Sequence, residues 1–194
     1  MASSIDPTKP IVGTPTTASV RDNFAAAKAE IEALQAQVTS IIATFQTRAI
    51  ITADFADGVQ QNSPAANVLH DRTLNTIIDD GGFLISLAGN AFTLPPGLYR
   101  ITGEFQVYKT DSNKTILRDI TAAADLDISI NEYAHPIYGG ATIRLESQVL
   151  LTVQSELKYQ QIFIQGGQNF GWGISSTVNN PERYARVTIQ RLPQ

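Results

Sequence analysis

Few side chains in this sequence could do chemistry, and their spacing argues against most of it. Asp79 and Asp80 are adjacent. A carboxylate pair can divide acid and base roles on a glycosidic bond only if both groups face the substrate. Neighbours on a strand point to opposite faces, and Gly81-Gly82 follow at once, so the pair reads as a turn. His70-Asp71 offers two members of a nucleophilic triad, but no nucleophile elbow accompanies them. A solvent-facing or hydrogen-bonded structural histidine is the reading that remains. His135-Pro136 lies between Tyr133 and Tyr138 ahead of Gly139-Gly140. Aromatic residues in such a loop can stack on a sugar or touch a partner, and the plainer alternative packs the loop onto its own domain. Gly166-Gly167, Gly171 and Gly173 lack the spacing and following helix of a phosphate-binding loop. Asp125 and Asp127 could open a calcium loop, but the other oxygen ligands are not in view. The expectation is no enzymatic activity, no metal and no cofactor.

Composition narrows the field further. The 194 residues contain no cysteine and two histidines. That excludes a disulfide scaffold, a thiolate metal site, a cysteine nucleophile and a three-histidine centre. Net charge is −4, which disfavours nucleic acid and anionic lipid as partners, since both require a basic face. Charged residues make up 16% and apolar residues 43%. A real core is therefore available, and uncharged polar groups must cover much of the surface. The opening residues Met1 to Pro7 lack the basic start and apolar run of a secretory leader, so cytosolic synthesis is expected. No stretch is long and apolar enough to read as a membrane span.

Three regions follow along the chain. Residues 1–18 carry Pro7, Pro10 and Pro15 among Thr and Ser, which blocks helix and favours an extended path. Such an arm can bind a partner surface as a peptide, with Ile5, Pro7, Pro10, Ile11, Val12 and Pro15 as its anchors. Residues 19–48 carry Val20, Phe24, Ala27, Ile31, Leu34, Val38, Ile41 and Phe45 at alternating spacings of four and three. A strict repeat of about 3.5 residues is the mark of a coiled-coil seam rather than of a broad core-facing stripe. Phe24, Ile31, Val38 and Phe45 take one seam position, and Ala27, Leu34 and Ile41 the other. Two and three strands both fit this pattern, and the bulk of Phe24 and Phe45 tilts it to three. Ser19, with Asp22 three residues on, is the expected helix cap. The stalk would be about 40 Å long at about 1.5 Å per residue.

From residue 49 the period drops to two. Tyr99 to Tyr108, Leu126 to Ile130, Thr142 to Leu145, Gln160 to Ile164 and Tyr184 to Leu192 all alternate apolar with polar. Turn signals separate them, among them Gly89-Asn90, Pro95-Pro96-Gly97 and Asp111-Ser112-Asn113. Short strands punctuated this way predict an antiparallel sandwich or jelly roll. Residues 49–82 read as a connecting β segment and residues 83–194 as the globular head.

Two resemblances attach to these residues. Ala91-Phe92-Thr93-Leu94-Pro95-Pro96-Gly97-Leu98-Tyr99-Arg100-Ile101, then Phe170-Gly171-Trp172-Gly173 and the closing Val187 to Leu192, resemble the complement-globular-head and tumour-necrosis-factor jelly rolls. This implies a mainly β, TNF-like head that forms compact homotrimers on a trimeric stalk. Ile5-Asp6-Pro7-Thr8-Lys9-Pro10, Gly13, Thr16 to Phe24 and Ala29 to Leu34 resemble the start of tailed-bacteriophage virion proteins: head fibres, capsid cement or decoration proteins, and tail-fibre components. This implies attachment to a virion, with the major capsid protein or another virion protein as partner and the capsid surface favoured over the tail. A tail-fibre or receptor tip that binds a host surface glycan is the alternative. Within the head, parity places Tyr99 and Phe105 in the core. It offers Tyr159 and Phe163 as the pair lining the trimer axis.

Overall fold

In the computed structural model the described residues are 17–46, 48–61, 65–82, 85–135, 137, 139–164, 171–176 and 180–193. The chain divides into two compact units, residues 1–46 and 47–194. The anchors of the arm, Ile5 to Pro15, lie outside the described residues, as do Pro136, Tyr138, Gly166, Gly167 and Phe170.

The first unit contributes one helix, α1 (Thr17–Gln46). Ala, Glu, Lys and Gln dominate its sequence, and no Gly or Pro interrupts it. Helix begins two residues before the cap expected at Ser19, so Ser19 lies within the helix. The helix also ends earlier than residue 48: Arg48 opens the first strand.

The second unit is a mainly β antiparallel sandwich. Its strands are β1 (Arg48–Phe55), β2 (His70–Asp71), β3 (Thr76–Asp79), β4 (Ser86–Ala88), β5 (Ala91–Leu94), β6 (Gly97–Tyr108), β7 (Asp111–Asp119), β8 (Ala124–Ile128), β9 (Glu132–Ala134), β10 (Gly140–Leu151), β11 (Ser155–Phe163) and β12 (Glu182–Leu192). One sheet runs β10-β6-β12-β1-β3. The other runs β4-β5-β11-β7-β8, with β2 added to β11 and β9 to β7. Strand β1 lies between β12 and β3 and buries Ala49, Ile51 and Ala53 in the common core. Residues 49–82 are therefore not a connecting segment: their first strand is integral to the sandwich, and the head starts near residue 47. Asp111-Ser112-Asn113 is not a turn either. It opens β7, and the chain crosses between the sheets at Lys109 and Thr110.

Period-two burial follows the expected parity along β6, where Tyr99, Ile101, Phe105 and Val107 are inward and buried. Gly89-Asn90 closes the β4–β5 hairpin with φ of 56° and 68°, the left-handed pair that a tight two-residue turn requires. At the centre, the rings of Phe105 and Tyr159 pack at 4.7 Å between centroids. Gly103 makes this possible: a Cβ there would lie 2.5 Å from the Phe105 ring and 2.8 Å from that of Tyr159.

One side chain links the two sheets across the core. Arg72 is fully buried. Its Nη1 donates to Gln161 Oε1 on β11 and its Nη2 to the Tyr184 carbonyl on β12, each at 3.0 Å. The guanidinium lies 4.7 Å from the Trp172 ring centroid and 5.3 Å from that of Phe105. Burial pushes its pKa down to about 9, so it stays charged at neutral pH. Aromatic faces and carbonyl oxygens hold the charge here in place of a carboxylate.

Replacing Gly103 with Val should destabilise the head by about 1–3 kcal/mol, because the aromatic stack must shift to admit the side chain. A thermal melt followed in the near-ultraviolet, where the buried tyrosines report, would measure it. An unchanged melting temperature would mean that the stack is not the close-packed centre of the sandwich.

Candidate assembly interface

Five of the eight seam residues of α1 are exposed. Phe24 is 72% exposed, and Ile31, Leu34, Val38 and Ile41 are 53–54% exposed. Val20 and Ala27 are half-buried, and the Phe45 side chain lies outside what is described. Lys28 and Glu32 pair at 3.7 Å with both side chains exposed, a contact worth only a few tenths of a kcal/mol.

Tyr159 and Phe163 do not line an axis. They are 0% and 1% exposed within a single chain. Strand β11 alternates from Ser155, with its odd-numbered residues inward, and those two rings fill the sandwich alongside Leu157 and Gln161. They have no area left to give to a second subunit. Burial, together with the nearby Asp127 charge, holds the Tyr159 hydroxyl well above the usual tyrosine range.

The outer face of the five-stranded sheet is the other broad surface. Its register sets Arg144 and Arg186 on either side of Glu104, and Gln148 and Gln190 on either side of Arg100. Arg144 and Arg100 both reach Glu146, at 2.8 and 3.7 Å. At one end Leu150 and Leu192 flank Leu98, and Leu150 is 61% exposed. An open depression of about 590 Å³ lies there, bordered by Pro96, Leu98 and Leu150. This face is a charge-matched polar surface with one apolar row. The row sits inside the run Val149-Leu150-Leu151, where unbroken hydrophobicity hides the alternation.

The pairs weighed for catalysis are occupied by structure. Asp79 Oδ1 accepts from the Gly81 amide and Asp80 Oδ1 from the Gly82 amide, both at 2.9 Å. His70 Nε2 lies 2.9 Å from the Ala65 carbonyl. Asp71 is 2.9 Å from Lys158 Nζ and accepts from Gln160. His135 Nδ1 accepts from the Ile137 amide at 3.1 Å. Asp125 pairs with Arg118 at 2.7 Å, while Asp127 Oδ2 accepts from Ser147 Oγ at 2.7 Å. The two carboxylates are thus engaged by different strands rather than gathered around an ion. Among the described residues no group of three or more His, Asp and Glu side chains comes together.

No protein-family model and no curated protein sequence matches the chain. Solved structures do. Murine APRIL, crystallised at pH 5.0, superposes with a TM-score of 0.50 at 8% identity, over 75% of this chain and 99% of that one. The globular domain of zebrafish complement 1qA protein superposes with a TM-score of 0.46 at 11% identity, over 76% of this chain and 98% of that one. At this identity the likeness to APRIL shows the fold alone, an antiparallel jelly-roll sandwich.

Placing a charge in the seam tests whether the stripe is buried by other copies. Ile31→Asp should melt the helix, because each copy would bring an unpaired carboxylate to the same desolvated level. Its far-ultraviolet helical signal should fall while the near-ultraviolet signal of the head is retained. Retention of the full helical signal would mean the seam is solvated.

Proposed function

We propose that this chain is the subunit of a homotrimeric structural protein of a tailed-bacteriophage virion, of the capsid cement, decoration or head-fibre kind, attached by its N-terminal region. The carrying observation is the apolar heptad stripe, exposed in the single chain, on a helix joined through one residue to a jelly-roll head. A lone helix of this length is marginal in water. Burying a large aliphatic side chain is worth about 1.5–3 kcal/mol, so packing the stripe against copies of itself is the direct way to stabilise it. The bulk of Phe24 and Phe45 favours three strands over two. The jelly-roll head supports the same reading through the trimeric family that its sequence resembles.

The virion assignment is supported by the resemblance of residues 5–34 to phage virion proteins and by the composition of the arm. Three prolines lower the entropy lost when residues 1–18 become ordered on a surface. They also remove backbone donors, so the arm would bind through Ile5, Ile11, Val12 and its carbonyls rather than by adding a full strand. One such arm binds weakly. Three on a trimer gain about 10²–10⁴ in avidity where the sites match their geometry. A three-fold or quasi-three-fold position on a capsid provides that match, which favours head over tail.

Deleting residues 2–18 should therefore leave a folded, assembled protein that no longer decorates particles. Purified virions from a phage carrying the deletion would be compared with wild type by gel densitometry. Wild-type occupancy by the truncated protein would place attachment in the stalk or the head and overturn the arm's role.

A further inference from the structure

The outer face of the seven-stranded sheet carries a feature that the assembly reading does not use. A β-bulge sets it up. Strand β8 pairs Asp127 with Leu117 and Asp125 with Arg118, leaving Leu126 as the extra residue. The bulge reverses the faces that follow it. Asp127 turns inward to Ser147, and Ile128 and Ile130, inward by simple alternation, turn out to 50% and 76% exposure. Across the sheet Ile116 is opposite Ile128, and Lys114 is opposite Ile162. The result is an aliphatic surface with a pocket of about 260 Å³ at its edge, between β7 and the end of β11.

The pocket has a hydrogen-bonded backbone frame and is lined by polar side chains. The Asn67 amide donates to the Phe163 carbonyl at 2.8 Å, and the Ile164 amide to the Ser112 carbonyl at 3.1 Å. Asn67 has φ of 58°, a left-handed conformation that Asn tolerates. Asn113, buried in the wall, donates to the Asp111 carbonyl and accepts from Gln161. By contrast, the side chains of Asn67, Lys114 and Asn131 line the pocket with no partner among the described residues. The other cations of this face are spent: Lys158 on Asp71 and Arg118 on Asp125. Glu132, in register with Asn113, is not among the lining residues. Among the described residues Lys114 is therefore the charge at the pocket without an ion pair.

We infer that this pocket binds a carboxylated sugar residue of a glycan. One ammonium matches one carboxylate. The carboxamides of Asn67 and Asn131 and the Ser112 hydroxyl can exchange hydrogen bonds with ring hydroxyls. Ile162 and Ile164 offer an aliphatic wall to the C–H face of a pyranose. A phosphate fits worse, since among the described residues no arginine fork or nest of free backbone amides faces the space. The volume suits one sugar unit rather than a drug-sized ligand. The site lies within one chain and stands apart from the trimer and virion reading, so either can fail without the other.

The test is ligand-observed saturation-transfer NMR on the full-length protein with trigalacturonic acid, sialyllactose and neutral lactose, at low and high salt. At least one acidic probe should bind, and more weakly as salt screens the ammonium. Lys114→Met should weaken that binding about tenfold, the loss of one charge-assisted hydrogen bond, and Lys114→Arg should retain it. Lys114 is exposed, so the Met variant should melt as wild type does. The acidic probe that binds tells a uronate-bearing from a sialylated source. Binding by neither acidic probe, or binding that Lys114→Met leaves unchanged, overturns the inference.

Discussion

The contact of Tyr159 with Phe105 over the bare backbone of Gly103 governs what this molecule can do elsewhere. Because position 103 has no side chain, two aromatic rings from opposite sheets meet at the centre of the sandwich. Phe92 joins them at 6.4 Å from the Tyr159 ring. The head thus closes its core with its own large side chains. Among the described residues, Phe24, Ile31, Leu34, Val38 and Ile41 of α1 are exposed apolar side chains that this core does not use.

Arg72 sets the limits of that core. A buried guanidinium without a carboxylate is costly unless its donors and its charge are both accommodated. Here the β11 side chain of Gln161 and a β12 carbonyl take two donors, and two rings face the charge. The same side chain therefore touches both sheets and the segment around Trp172. In the sequence it is one arginine in a polar stretch after His70-Asp71, with no period to mark it. Burial of a charge is a tertiary fact that local pattern does not carry.

Much of the architecture was legible because it rests on local periods. The 3.5-residue spacing from Val20 found the helix, and the alternation of Tyr99 to Tyr108 gave the inward face of β6 correctly. Gly89-Asn90 marked its hairpin through the conformations those residues allow. What failed needed information from a neighbouring strand. Tyr159 and Phe163 read as an axial pair by parity alone, and the second sheet buries both inside one chain. Ile128 and Ile130 followed a clean alternation that the Leu126 bulge reversed. Strand β1 looked like a connection because its partner, β12, lies at the far end of the chain. The pocket around Lys114 was missed for the same reason: its residues come from four separate stretches of sequence.

The claim on which the functional account turns is that the exposed seam is buried by two further copies of the chain. Light scattering coupled to size-exclusion chromatography, run over a dilution series of the full-length protein, tests it most directly. The account predicts a mass three times the 21.0 kDa of the chain, held across the series. A mass of one chain at every concentration would contradict it, and would leave the stripe on α1 as solvated surface.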